Sequence, residues 1–237
     1  MSTRNTTILE LLRDEQTINV RELASRFDVS EMTIRRDLDR LEDKGLVVRT
    51  YGGAVATAKL RFLENNVPEH AVSEQKRAIG KLAASLIMPR KRIMVDSGTT
   101  TLEVARHIPQ DKGIVMATTS LCVAQLLYNS PIDVVVFGGL MRKEFPSMYG
   151  PITESALSGF HVDMLFIGCD GAHSTEGFYT TEPRISTLEQ TMIQIADRVV
   201  LVTESAKFGR RSFVRFATPT DVHVVVTDEG LSPQDRA

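Results

Sequence analysis

Near the start of the chain, "TTILELLR" sets Ile8, Leu11 and Leu12 on one helical face, with polar residues between them. "TINV" follows as a short β-rich stretch. Asn19 then opens a second helix, and Glu22 three residues on fits a capping box. Leu23, Ala24 and Phe27 supply its buried side before "DVS" breaks the chain. Ser30 can cap a third helix through its hydroxyl, and Gly45 supplies the stop after Lys44. Within it Ile34, Leu38 and Leu41 recur at i, i+4 and i+7 and form the inward face. "LVVRTYGGAVA" wraps two short apolar runs around Gly52-Gly53, the pattern of a β-hairpin. These parts predict a winged helix-turn-helix over residues 1–57, with the helix-turn-helix itself at about 19–38.

Residues 58–72 lose this periodicity and are expected to be a linker with room for one short helix; 73–237 form a second domain. Ile79, Leu82, Ala83 and Leu86 mark a helix that ends before Pro89. The helices "TLEVARHI", "LCVAQLLY" and Ile185 to Ala196 then alternate with strands "RIMVD", "IVMAT", "DVVVF", "DMLFIG", "VVLVT" and "VHVVVT". Several strands are unbroken apolar runs, as expected of parallel strands buried on both faces. The alternation predicts a doubly wound, mostly parallel α/β sheet, so the fold class is α/β with a small helical head.

Charge changes little overall and much locally. The 237 residues carry 28 Lys and Arg against 30 Asp and Glu, a net −2, with 42% apolar residues, which describes an ordinary soluble globular chain. No apolar run approaches the roughly 18 residues of a membrane span, and "MSTRNTTILELL" lacks the features of a secretory signal. Cys122 and Cys169 are too few for a disulfide framework and suit a reducing cytoplasm. The five histidines are scattered, so neither a structural metal nor a cofactor is expected. The head has no basic excess, yet Thr33, Arg36 and Arg40 fall into one outer stripe at i, i+3 and i+7. Such side chains can reach guanine edges or phosphates in a major groove. Arg35 lies four residues from both Glu31 and Asp39, which leaves it between phosphate contact and helix stability. With Ser30, and with Arg49 and Tyr51 near the hairpin tip, these form the candidate surface for double-stranded operator DNA. A neutral head predicts that two heads are needed per operator, hence a dimer or tetramer.

In a doubly wound sheet a ligand binds beyond the carboxyl ends of the strands. There the chain carries Asp96, Ser97, Gly98, Thr99, Thr100 and Thr101 in "DSGTTT", then Thr119 and Ser120, then Gly138 and Gly139, then Asp170 and Gly171, then Lys207. "DSGTTT" opens into a helix whose N-terminus attracts an anion. Taken singly, each motif is as well explained by a capped loop or a turn, and Lys207 by a surface lysine. Together they suggest a pocket for a small, phosphorylated, hydroxyl-rich molecule.

"VSEMTIRRDLDRLE" and "RTYGGA" resemble the N-terminal domain of the DeoR family of bacterial transcriptional regulators, and the resemblance runs through nearly the whole chain. It implies a repressor of a carbohydrate-metabolism operon whose C-terminal domain senses a sugar phosphate. That domain is similar to ribose-5-phosphate isomerase and acyl-CoA transferase folds. "DSGTTT" and the lysine of "AKF" match the family's effector loop and "SKF". Two positions depart from the family pattern. Glu204 stands for the commoner aspartate before "SKF", and Ile185 and Glu189 replace an acidic pair and a lysine. The alternative function is a sugar-phosphate isomerase, with Asp170, Glu204 and Lys207 as base and electrophilic helper. Against it, "FIGCDGAHSTEG" lacks that isomerase's additional carboxylates. A third reading is an architectural DNA-binding protein that senses nothing.

Overall fold

A computed structural model of the chain describes residues 3–15, 17–43, 46–50, 52–56, 73–110, 113–142 and 145–235. The expected helix stop at Gly45, Tyr51 at the hairpin tip and the linker lie outside the described residues. The chain divides into two compact units, Met1–Glu69 and His70–Ala237. Among the described residues no helix is long and apolar enough to cross a membrane.

The first unit runs α1 (Thr3–Glu15), β1 (Thr17–Asn19), α2 (Val20–Arg26), α3 (Glu31–Asp43), β2 (Val47–Thr50) and β3 (Gly53–Ala56). β2 and β3 form the antiparallel hairpin, and β1 adds a third strand, pairing Ile18 with Ala54. Ile8, Leu12, Leu23, Ile34, Leu38 and Leu41 meet in one core with Val47 and Ala54. Burying each such aliphatic side chain is worth about 1.5–3 kcal/mol. The cap on α2 differs from the expected box: the Asn19 side chain accepts from the Arg21 N–H at 2.8 Å, one position short of Glu22. At the other end, Val29 N–H donates to Ala24 O and Asp28 N–H to Ser25 O, with Asp28 left-handed at φ 51°. This is a Schellman ending with aspartate in the place glycine usually takes, and it sets the tight turn into α3.

The second unit holds six parallel strands, β4 (Arg92–Val95), β5 (Val115–Thr118), β6 (Asp133–Val136), β9 (Met164–Ile167), β12 (Val199–Val202) and β14 (Val224–Val226), in the order β14-β12-β9-β4-β5-β6. Helices α4 (Glu74–Ser85), α5 (Thr99–Arg106) and α6 (Leu121–Leu127) lie before and between the first three strands. Helices α7 (Pro151–Leu157) and α8 (Pro183–Gln194) come later in the chain. Their Leu157, Leu188 and Met192 pack against Met94, Leu165, Ile167 and Leu201 on one sheet face. The alternate strand residues Ile93, Phe166 and Val200 are fully buried on the other face, where α4 packs on β12 and α5 on β4 and β9. Asp163 fastens the start of β9 to β4, accepting from Arg92 N, Nε and the terminal guanidinium nitrogen at 2.7, 3.1 and 3.1 Å.

Three parts of this unit were not in the pattern reading. β7 (Leu140–Arg142) pairs with β8 (Ser147–Tyr149), α7 follows directly, and β10 (Gly171–His173), β11 (Gly177–Thr180) and β13 (Val214–Ala217) form a separate antiparallel sheet. Leu82 also turns outward, 57% exposed, while Ile79, Gly80, Ala83 and Ala84 are buried. Gly80 dictates that face, because a Cβ there would stand 2.5 Å from the Glu103 backbone of α5.

Candidate functional site

In the first unit the outer face of α3 carries the predicted DNA residues, and their surroundings separate them. Ser30 caps the helix, its Oγ accepting from Thr33 N–H at 3.2 Å and sharing a hydrogen bond with Thr33 Oγ1 at 2.9 Å. Arg35 stands 3.5 Å from Glu31 and Arg40 3.8 Å from Asp37. Arg49 is not presented at the hairpin tip: its side chain is 21% exposed, ion-paired with Asp39 and donating to the Arg35 carbonyl. Those bonds fasten the wing to α3. Arg36 is exposed and has no ion-pair partner among the described residues. Met32, which the charge pattern passed over, is 59% exposed on the first turn.

In the second unit the strand order reverses between β4 and β9, and a cavity of about 200 Å³ opens beyond their carboxyl ends. It is lined by Asp96 to Thr101, by Cys169 and Asp170 after β9, and by Lys207 after β12. The structure adds Arg142 and Phe145 from the β7–β8 hairpin, Thr180 from β11, and Ile185 and Glu189 from α8. Arg142, Phe145 and Thr180 escaped sequence reasoning because their short segments mix polar and apolar residues and form no apolar run.

The loop after β4 leaves the start of α5 without a side-chain cap: the Thr101 hydroxyl donates back to Gly98 O, and Gly98 is extended at φ 171°. That backbone suits any residue, so the glycine is not required by its dihedral. The first helical bond runs from Leu102 N–H to Gly98 O, which leaves the preceding amides open to an anion. Around this opening sit three acids. Burial pushes the Asp96 carboxyl up to about 6, against backbone N–H donors from Ser97 and Gly168. Asp170 is held by the Thr181 N–H and hydroxyl, both at 2.9 Å. Glu189 is buried, and its Oε2 has no hydrogen-bond partner among the described residues. Burial first, then the charges of Asp96 and Asp170, hold its carboxyl well above the ordinary range. Of the bases, Lys207 donates to the Cys169 carbonyl and Arg142 to Glu182 at 2.8 Å.

Five predicted ligand residues are placed elsewhere. Thr119 and Ser120 are fully buried, and Ser120 caps α6 by accepting from Val123 N–H at 3.3 Å. Gly138 offers its carbonyl to Thr153, and Gly139 is needed for close approach, since a Cβ would stand 2.0 Å from the Thr153 hydroxyl. Gly171 faces the Arg210 carbonyl at 2.6 Å in the same sense. Glu204 also lies off the cavity, accepting from Ser73 Oγ at 2.7 Å and standing 3.5 Å from Lys76.

Comparison with known proteins fits this division. The chain is 35% identical over 234 residues to the HTH-type transcriptional regulator GlpR of Haloferax volcanii, covering 98% of this chain and 92% of that one. It is 32% identical to the HTH-type transcriptional repressor GlcR of Bacillus subtilis, covering 93% and 86%. Among solved structures, ribose 5-phosphate isomerase A from Neisseria gonorrhoeae matches at 16% identity and TM-score 0.43, over 57% of this chain and 53% of that one. The sorbitol operon regulator SorC from Klebsiella pneumoniae matches at 12% and 0.42, over 98% and 96%. Likenesses that distant carry no argument about chemistry. Residues 4–59 match the DeoR-like helix-turn-helix domain and residues 71–229 the DeoR C-terminal sensor domain. With both profiles matched in order, the chain belongs to the DeoR family of transcriptional regulators.

Proposed function

We propose that this regulator represses a carbohydrate-metabolism operon, and that a phosphorylated sugar in the cavity of the second unit modulates its hold on operator DNA. The observation that carries the reading is the uncapped start of α5, where open amides, threonine hydroxyls and Lys207 share one cavity. Arg36 is the base- or phosphate-reading group of α3, with Thr33 and Arg40 beside it. Exposed Leu140, Met141 and Ile152 on the second unit support association of sensor units into a dimer or tetramer. Two heads then bind one operator with the gain of effective concentration. Such a protein works in the cytoplasm, where the DNA is. We do not assign it an enzymatic activity: Glu204, the base an isomerase would need beside Asp170 and Lys207, is bonded to Ser73 away from the cavity.

Fluorescence anisotropy on DNA from upstream of its own gene, in fixed salt, tests the reading. Selective binding that a pool of sugar phosphates changes is the expected result, and Thr99→Val should blunt the change. Arg36→Ala should cost roughly 1–3 kcal/mol if the arginine reads a base, with relaxed specificity at one position. An equal loss on all sequences would make it a phosphate contact. Binding indifferent to every sugar phosphate would overturn the sensor reading.

A further inference from the structure

Glu189 differs from every other acid around the cavity. It lines the wall, is 5% exposed, and its Oε2 has no hydrogen-bond partner among the described residues. Buried polar atoms are nearly always satisfied, so an orphaned oxygen on a carboxyl that lines a cavity points to a partner supplied from outside the chain. The described lining also holds more acid than base. Asp96, Asp170 and Glu189 face Arg142 and Lys207, and Arg142 is already bonded to Glu182. A ligand that brought only a phosphate would set its negative charge near Asp96 and Asp170 and supply nothing to Glu189. A ligand that brought a cation as well would relieve that wall.

We propose that Glu189 selects an amino group, so that the cavity takes a phosphorylated amino sugar, with its phosphate at the open start of α5 and its ammonium nitrogen donating to the Glu189 carboxyl. This deepens the phosphorylated-sugar reading and rests on it. The proton balance gives the idea a signature of its own. In the empty cavity burial and the neighbouring acids raise the Glu189 carboxyl well above the ordinary range and so favour its neutral form. An entering ammonium group stays protonated, and the carboxyl proton leaves for solvent as the ion pair forms. The matching hydroxyl compound can accept a hydrogen bond from the neutral carboxyl and releases no proton there.

Calorimetric titration of the full-length protein with glucosamine 6-phosphate and glucose 6-phosphate, at pH 7 in two buffers of different ionisation heat, reads both effects. The expected result is at least about tenfold tighter binding of the amino compound, as befits a charge-assisted hydrogen bond in a buried site. Close to one more proton should be released than with its hydroxyl twin. In Glu189→Gln both differences should vanish while glucose 6-phosphate still binds. Equal affinity and equal proton release for the two compounds in the unmodified protein would overturn the proposal, without any variant having to fold. Binding of glucose 6-phosphate alone would also overturn it and leave the phosphorylated-sugar reading standing. If neither compound bound, that underlying reading would fail, and the role of Glu189 with it.

Discussion

Asp37 on α3 and Glu189 on α8 are both buried acids on helices that carry function, 2% and 5% exposed. Asp37 accepts from Arg4 Nε at 2.6 Å across the head, with Arg40 3.8 Å from its other oxygen. Glu189 has no such partner on Oε2 and shares its cavity with two further acids. One charge was buried together with its counter-ion and belongs to the fold. The other was buried facing a space, and what completes it comes from outside the chain. A helix packed against a finished core and a helix packed against a ligand cavity are thus told apart by how their buried acids are satisfied.

The largest effect should come from breaking the satisfied acid. Asp37→Ala leaves the Arg4 guanidinium without its carboxylate and should cost the head roughly 2–3 kcal/mol, somewhat below the roughly 3–5 kcal/mol for losing one partner of a fully buried pair. Arg4 is only partly buried and can turn toward water, which limits the loss. Urea unfolding of the full chain, followed at the head's own transition, measures it. A loss below about 0.5 kcal/mol would put Asp37 on the same footing as an exposed pair and dissolve the contrast.

Asp96 tests the opposite side. Its folded carboxyl titrates at about 6 against 3.8 for the unperturbed group. Between those values the native state binds more protons than the unfolded one, so its contribution makes stability fall as pH rises from about 4 to about 6. Above that window the ionised, buried carboxylate remains a net cost. Asp96→Asn should therefore stabilise the ligand-free protein at pH 7.5 by roughly 2 kcal/mol and change nothing at pH 4. The difference between variant and parent melting profiles isolates it from the acids that shift the other way, such as Glu176 beside Arg211, held down to about 2. A variant that is less stable at pH 7.5 would mean that a cation already compensates Asp96.

Much of this arrangement could be read along the chain. Six of the strands stand where unbroken apolar runs put them, and the three helices of the head where the helical apolar period puts them. The loop from Asp96 to Thr101 was visible because it joins a strand to a helix. The β7–β8 hairpin was not, since "LMR" and "SMY" mix polar with apolar residues and form no apolar run, and with it Arg142 and Phe145 were missed. Thr119 and Gly139 sit after strands just as Ser97 does. Those strands are β5 and β6, on the edge side of the switch point, and only the order of strands in space reveals that. The pairings of Arg49 with Asp39 and of Asp37 with Arg4 join different elements, 10 and 33 residues apart, which no helical or strand period encodes.

The smallest effect is expected at Glu189 itself, in the absence of ligand. Glutamine has the shape of a protonated glutamic acid and keeps one acceptor and one donor group. A carboxyl whose neutral form burial and the charges of Asp96 and Asp170 favour is already close to that chemistry. Glu189→Gln should therefore shift the stability of the empty protein by less than about 0.5 kcal/mol at pH 7, in contrast to Asp37→Ala. Thermal melts of the two variants side by side make the comparison. A loss of some 2 kcal/mol at Glu189 would show that its carboxylate is ionised and paired within the chain. In that event both buried acids are elements of the fold, and the cavity must recognise its ligand without this one.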